Sequence, residues 1–489
     1  MEKLPDELLD IIADCLPPEA LAPYATLSSR WQSTIERRTF YRLQISSADE
    51  DMDCFTLSIT PSRIRYLKQL YLTILVPFHE TRIISAEGQE ARFSAAFTDA
   101  LRKLFQALAG TESSIQNAST SQGIESWIHF FISEVKSPVD IWDELNGYLT
   151  RRIQLVEYES LPFVQCVSRL GIYDPQRKFA LRTAIELSTR LPNLCGMELE
   201  KTIQDKMFIF ASNFRLLWDS RKDLAEAFAK ADNLSGSHLR HFTVLTDELE
   251  PRDGLFKPVS DFRNYYAITL EPSYDPLGVA IRTLSQNLTY LNLSGTFDVS
   301  LFWPTQAEID GTITRTSSIS LQWPCLKHMI IKLGLCTPNG EWYFKAKPRV
   351  GHRRSTRLRP MNVPVDDELQ HVFASWSKAL SHMPVLRSAT IWFHLEMTPQ
   401  KPSEERYFDK WVVGFHAPGE IPDPTIFTSH NAKVTMEELY NSRLVFERTD
   451  GWRPTTNTME RLQKMAKDRF AQTNLVEIDV NILGNVTRK

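Results

Sequence analysis

The chain has 489 residues, 42% of them hydrophobic and 24% charged. That is more than one ordinary core accommodates, and it predicts two or three units or an elongated repeat array. The formal net charge of -4 excludes any argument from overall charge for nucleic acid or membrane as the main partner. No stretch reaches the roughly 18 uninterrupted apolar residues of a membrane helix, and Glu2, Asp6, Glu7 and Asp10 interrupt a secretory pattern, so a cytoplasmic or nuclear location is expected. The six cysteines are scattered without a CxxC pair, as expected of reduced thiols rather than zinc ligands or disulfides.

The chain begins with a helix signal. Pro5 suits a first turn because its missing N–H would be unpaired there, and Asp6 and Glu7 place negative charge at the positive end of the helix dipole. Leu8, Ile12 and Cys15 form one apolar stripe, with Leu9, Ala13 and Leu16 beside it, so the greasy surface is wider than one packed face requires. Pro17 and Pro18 end this helix. A second short helix is expected across Leu21 to Leu27, with Pro23 in its first turn, and a third entered through Ser28 or Ser29, carrying Trp31 and Ile35 inward. Three short helices in about forty residues bury too little to stand comfortably alone. Part of this surface therefore awaits cover, from the same chain or from another.

The order Leu4-Pro5 with Glu7-Leu8-Leu9, then Ile12, Leu16-Pro17, Leu21 and Leu27-Ser28-Ser29-Arg30-Trp31 resembles an F-box over roughly residues 3 to 42. The resemblance implies docking on a Skp-type adaptor, and through it on a cullin and a RING subunit of a ubiquitin ligase. The residues it implicates are Leu4, Pro5, Leu8, Leu9, Ile12, Leu16, Leu27 and Trp31. Ser28-Ser29 departs from the cysteine-bearing pair usual before the tryptophan.

Beyond a domain joint expected near residues 42–60, a short phrase recurs: leucine followed at +3 and +5 by apolar residues. It occurs as Leu67/Leu70/Leu72, Leu194/Met197/Leu199, Leu239/Phe242/Val244, Leu288/Leu291/Leu293, Leu326/Met329/Ile331, Leu386/Ala389/Ile391 and Leu475/Ile478/Val480. The step from +3 to +5 is the period of a strand. Amphipathic helices are expected around Phe93 to Leu108, Leu277 to Leu284 and Leu369 to Leu380. The sequence thus predicts an α/β chain: an N-terminal three-helix unit over 1–45, then an irregular strand-helix array over 60–489, with a weaker division near 421–428. The phrase resembles the core of leucine-rich repeats, at longer and less regular intervals. DVSLFWPTQAEIDG and CLKHMIIKLG also resemble the C-terminal region of many fungal F-box proteins. Loops are expected around Ser113 to Gly123, Pro304 to Ser320 and Thr398 to Phe408.

The sequence offers no catalytic constellation. It has no GG or GxG, no GxSxG elbow and no HExxH helix. The spacing from Gly414 to Gly419 is that of a phosphate loop, but Glu420 and Ile421 stand where lysine and a hydroxyl are needed. His238 and His241 are three apart without a third ligand, and Asp366-Asp367-Glu368 serve a helix dipole. No enzyme activity, metal or cofactor is expected. One charge run stands out: Lys345, Lys347, Arg349, Arg353, Arg354, Arg357 and Arg359, with no acid among them. A solvated insertion is the plain reading; an arginine patch for an acidic or phosphorylated protein, or a nucleic-acid patch, is the sharper one. The expected function is substrate recognition within an SCF-type ligase, with Trp303, Trp342, Trp392, Arg353 and Arg354 as candidate substrate contacts. The alternatives are a non-ligase F-box scaffold and a nucleic-acid-binding protein that uses the 345–359 tract.

Overall fold

The structure is a computed structural model describing residues 4–17, 20–76, 86–118, 128–136, 153–173, 180, 182–204, 211–231, 238–247, 274–311, 321–339, 341–346, 361–397, 407–427, 435–470, 475–480 and 486–488. The chain is α/β and divides into two compact units, residues 1–202 with 236–239, and residues 203–235 with 240–489.

The first unit starts with helices α1 (Asp6–Cys15), α2 (Leu21–Ala25) and α3 (Ser29–Thr39). Asp6 and Glu7 occupy the first turn of α1, Pro23 is the third residue of α2, and the Ser28 hydroxyl caps α3 by accepting from the Trp31 N–H at 3.3 Å. Then follow β1 (Arg42–Ser46), α4 (Asp49–Ser58), β2 (Gln69–Leu75), α5 (Ala86–Ala118), β3 (Ile128–Lys136), β4 (Val167–Ile172), α6 (Arg182–Ser188) and β5 (Gly196–Gln204). The five strands pair parallel in chain order. Their register aligns two apolar columns: Leu43, Leu70, Phe130, Leu170 and Met197, and two residues on, Ile45, Leu72, Ile132, Ile172 and Leu199. From Leu70 and Leu72 onward both columns are buried. Phe105 of α5 meets Phe130 edge-on, with ring centroids 6.2 Å apart.

The second unit contains α7 (Ala211–Lys230), β6 (His241–Asp247), α8 (Pro276–Ser285), β7 (Tyr290–Gly295), α9 (Gln306–Gly311), β8 (His328–Leu333), β9 (Phe344–Ala346), β10 (Met361–Pro364), α10 (Asp366–Ser381), β11 (Ser388–Met397), β12 (Tyr407–His416), α11 (Met436–Leu439), β13 (Ser442–Glu447), α12 (Thr456–Arg469), β14 (Leu475–Val480) and β15 (Val486–Arg488). Strands β6, β7, β8 and β11 are parallel and in register, stacking Phe242, Leu291, Met329 and Ala389 in one column and Val244, Leu293, Ile331 and Ile391 in the next. β12 then runs antiparallel to both β11 and β13, β14 pairs parallel with β13, and β15 runs antiparallel to β14, while β9 and β10 form a separate hairpin. Residues Ile421–Phe427 thus lie between two directly paired strands, β12 and β13.

The first six phrases each open a strand of one apolar phase, but the seventh does not follow them. Leu475 already lies inside β14, so Ile478 and Val480 align with Val445 and Glu447 rather than with Leu444 and Phe446. They pack with Val412, Ile426, Phe427 and Val445 in a cluster of their own. A one-residue change of phase turns a strand over.

Part of the loop expected from Ser113 is helix. α5 continues to Ala118, and the hydroxyls of Thr111, Ser113 and Ser114 are accommodated within it by donating back to the carbonyls of Ala107, Ala109 and Gly110, each at 2.9 Å. Ile115 is buried, and the Glu112 carboxylate accepts from the Gln165 and Cys166 N–H groups. Within the loop expected from Pro304, Gln306–Gly311 is also helical, capped by the Thr305 hydroxyl. Tyr407 and Phe408, expected in a loop, open β12; residues 398–406 lie outside the described residues.

A buried ionic cluster fixes α8. Arg221 reaches Asp275 bidentately at 2.9 and 2.6 Å, and Asp275 caps α8 by accepting from Leu277 and Gly278 N–H. Asp298 is buried nearby, accepting from the N–H and hydroxyl of Ser300. Burial, then the Asp275 charge, pushes its carboxyl up to about 6, against the opposing Ser300 hydrogen bonds. A carboxyl raised on folding favours the folded state below its unfolded pKa, and that contribution is lost as pH rises through the folded value. The contribution of Asp298 is therefore expected to decline between about pH 4 and 6, so that the native chain loses on the order of 2 kcal/mol relative to Asp298→Asn over that range, as read by denaturant titration.

Candidate functional site

The three N-terminal helices close around a small core of Leu9, Leu21, Trp31 and Ile35, against which Leu4, Leu16, Tyr24 and Ala25 are partly buried. The Tyr24 and Trp31 rings lie 5.7 Å apart. Helix α1 has three distinct faces. Leu9 and Ala13 point inward, each 1% exposed. Asp6, Asp10 and Asp14, spaced four apart, form a second face that meets α3: Arg30 pairs with Asp6 at 2.5 Å, Arg37 with Asp10 at 2.5 Å and Arg38 with Asp14 at 3.6 Å. Arg30 also donates to the Leu4 carbonyl at 2.6 Å, tying down the residues that lead into α1. Each pair is solvent-exposed and worth at most about 1 kcal/mol, but three in sequence fix the rotation of α1 about its own axis.

The third face is apolar and uncovered. Leu8 is 43% exposed, Ile11 57% and Ile12 38%, and Cys15 is exposed as well. These positions are spaced i, i+3, i+4 and i+7, one continuous stripe of a helix. Leu27, 56% exposed, projects from the turn between α2 and α3. Among the described residues this apolar stripe lies beside the inward one and stays exposed, as a contiguous apolar patch.

The eight residues singled out in the sequence thus separate into two groups. Leu9 and Trp31 serve the unit's own core, with Leu4 and Leu16 half-buried against it. Pro5, Leu8, Ile12 and Leu27 face outward. Ile11 was missed, although its spacing from Leu8 is legible. The acidic spacing Asp6/Asp10/Asp14 is legible too; its arginine partners, some twenty-four residues on, are not.

α3 anchors the helices to the rest of the first unit. Arg63 donates to Glu36 from Nε at 3.0 Å and Nη2 at 2.8 Å, reaches the Ser58 carbonyl at 3.1 Å and lies over the Phe40 ring. Ser33 and Tyr66 share a hydrogen bond of 3.0 Å. Burial alone would raise the Glu36 carboxyl, but the hydrogen bonds from Arg63 and Gln32 and the Arg63 charge together hold it below its ordinary value.

The arginine patch Arg349, Arg353, Arg354, Arg357 and Arg359 lies outside the described residues; Lys345 is in β9. Trp303, Trp342 and Trp392 are half-buried. Trp303 packs 4.9 Å from His382, and Trp392 lies between Lys332 and Lys410, 4.8 and 5.3 Å from its ring centre. Among the described residues no group of His, Cys, Asp and Glu is placed to hold a metal ion, and no helix is long and apolar enough to cross a membrane. No protein-family model matches the chain, and no curated protein matches it significantly.

The Glu36–Arg63 pair sets an expectation for acid. A depressed carboxylate contributes stability above its unfolded pKa of about 4.3, and that contribution is lost as pH falls through its folded value. Glu36→Gln is expected to cost about 1 to 2 kcal/mol at pH 7, between the exposed and buried limits for ion pairs. The difference from the native chain should vanish in acid, as read by urea unfolding at the two pH values.

Proposed function

We propose that the chain is the substrate-recognition subunit of an SCF-type cullin-RING ubiquitin ligase, acting in the cytoplasm, the nucleus or both. In this reading the three N-terminal helices are an F-box that docks on a Skp-type adaptor, and the strands and helices that follow are a degenerate leucine-rich-repeat-like array that receives the substrate. The observation that carries it is helix α1, whose inner stripe is satisfied by Trp31 and Ile35 and whose acidic face is paired with α3, while Leu8, Ile11 and Ile12 remain exposed. The order of leucines, prolines and tryptophan through this stretch gives that uncovered stripe its expected partner.

The mechanism is proximity. A substrate held near a ubiquitin-loaded enzyme reacts at a raised effective concentration, with no catalytic side chain contributed by this chain. The outward residues suit an anchor role: burying an exposed leucine or isoleucine is worth roughly 1.5 to 3 kcal/mol, and a few anchors dominate an interface of ordinary size.

Calorimetry of the full chain with a Skp-type adaptor tests the reading. The native chain is expected to bind. Leu8→Ala with Ile12→Ala should weaken binding by about a hundredfold or more, at roughly 2 kcal/mol for each anchor, with little change in stability because both side chains are exposed. Leu9→Ala should instead destabilise the chain by about 2 to 5 kcal/mol. No binding by the native chain would remove the proposal.

A further inference from the structure

Helix α1 carries little support of its own. It is ten residues long, its buried residues are Leu9 and Ala13, no side chain caps its N-terminus and its last turn holds no basic residue. A helix so short is marginal by itself. One leucine and one alanine are also a narrow base on which to fix its rotation.

What α1 lacks, α3 supplies. Arg30 donates to Asp6 Oδ1 from Nε at 3.1 Å and from Nη2 at 2.5 Å, and Nη2 also holds the Leu4 carbonyl ahead of the helix. Arg37 Nη2 donates to Asp10 Oδ1 at 2.5 Å, in the middle of the helix. Arg38 stands 3.6 Å from the Asp14 carboxylate and reaches the Asp14 carbonyl at 3.4 Å, a last-turn carbonyl that the helix leaves without an intrahelical partner. The three contacts thus run the length of α1.

Their place around the helix matters as much. At about 100° per residue, the middle of the Asp6/Asp10/Asp14 face stands about 80° from the buried stripe and about 150° from the middle of the stripe formed by Leu8, Ile11, Ile12 and Cys15. The arginines therefore grip α1 from behind the exposed stripe, on the side turned away from a protein that covers it.

We propose that Arg30, Arg37 and Arg38 are positioning residues for docking: they hold the outer stripe of α1 in its binding orientation and act on the adaptor only through α1. In naming the adaptor, the inference rests on the ligase reading above. The physical reason is pre-organisation. A stripe already in place loses less freedom on association, so more of its apolar burial appears as affinity. Each exposed pair is weak, but reversing one charge replaces an attraction by a repulsion at contact distance.

Arginines that bound an acidic surface of the adaptor directly would give the same loss on reversal, yet a charge swap with α1 would not repair it. Calorimetry of the full chain with a Skp-type adaptor, run on Arg37→Glu, Asp10→Arg and the two combined, separates these as a double-mutant cycle. Each reversal alone is expected to weaken binding at least about threefold, and the combined swap to return affinity to within about twofold of native. Amide exchange of α1 in the free chain, read by mass spectrometry, should quicken in each single reversal and slow again in the swap.

Urea unfolding of the same variants tells positioning from mere stability, because a purely structural pair would shift the unfolding midpoint and leave Kd as it was. Unchanged affinity in both single reversals, while the native chain binds, overturns the proposal and leaves the ligase reading standing. So does a swap that recovers no affinity. Absence of binding by the native chain removes the ligase reading and this inference with it.

Discussion

Keeping one apolar phase from strand to parallel strand is the constraint on which the core of each unit depends. Each strand offers two apolar side chains of one phase, and a column holds only if every strand keeps that phase, since a slip of one residue sends both side chains to the other face. In the first unit the columns through Leu70 and Leu72 run without interruption to Met197 and Leu199. In the second, the columns through Phe242 and Val244 run to Ala389 and Ile391. The same rule decides what remains outside: once one set is buried, the alternate set must form a surface, and in the first unit the adjoining rings of Tyr71, Phe131 and Tyr173 lie there.

α1 answers to a different constraint, because a ten-residue helix has to satisfy two apolar stripes at once. Its inner stripe is fixed by the core around Trp31, and its rotation is set by the three arginines of α3. With both settled, Leu8, Ile11 and Ile12 have no freedom to turn inward. Exposure of that stripe is therefore a consequence of how the helices hold together rather than of a loose end.

Much of this was legible in the sequence, for local reasons. Helices α1, α3, α8 and α10 begin where proline, serine or acidic residues place them, and six strands begin where a leucine precedes an alternating pair. Strands without that leading residue escaped. β3 presents Phe130 and Ile132, β4 presents Leu170 and Ile172, and β13 presents Leu444 and Phe446, each with the right period and no leucine before it. The phase of β14 was misjudged because Leu475 looks like the other leading leucines and lies one step too far along. For the helical site, spacing along α1 showed which residues share a stripe, but only the packing of Trp31 shows which stripe is already used. That long-range contact divides Leu9 from Leu8, adjacent in sequence and opposite in role.

The central claim, that the outer stripe of α1 is covered by an adaptor, is tested most directly through Cys15. This exposed thiol lies on the same stripe as Leu8, while Cys54 and Cys325 are exposed elsewhere. The measurement is the alkylation rate of each cysteine in the full chain, by mass spectrometry, with and without saturating Skp-type adaptor. Covering the stripe predicts that Cys15 slows sharply while Cys54 and Cys325 keep their rates. Unchanged alkylation of Cys15 in the presence of the adaptor would contradict the account.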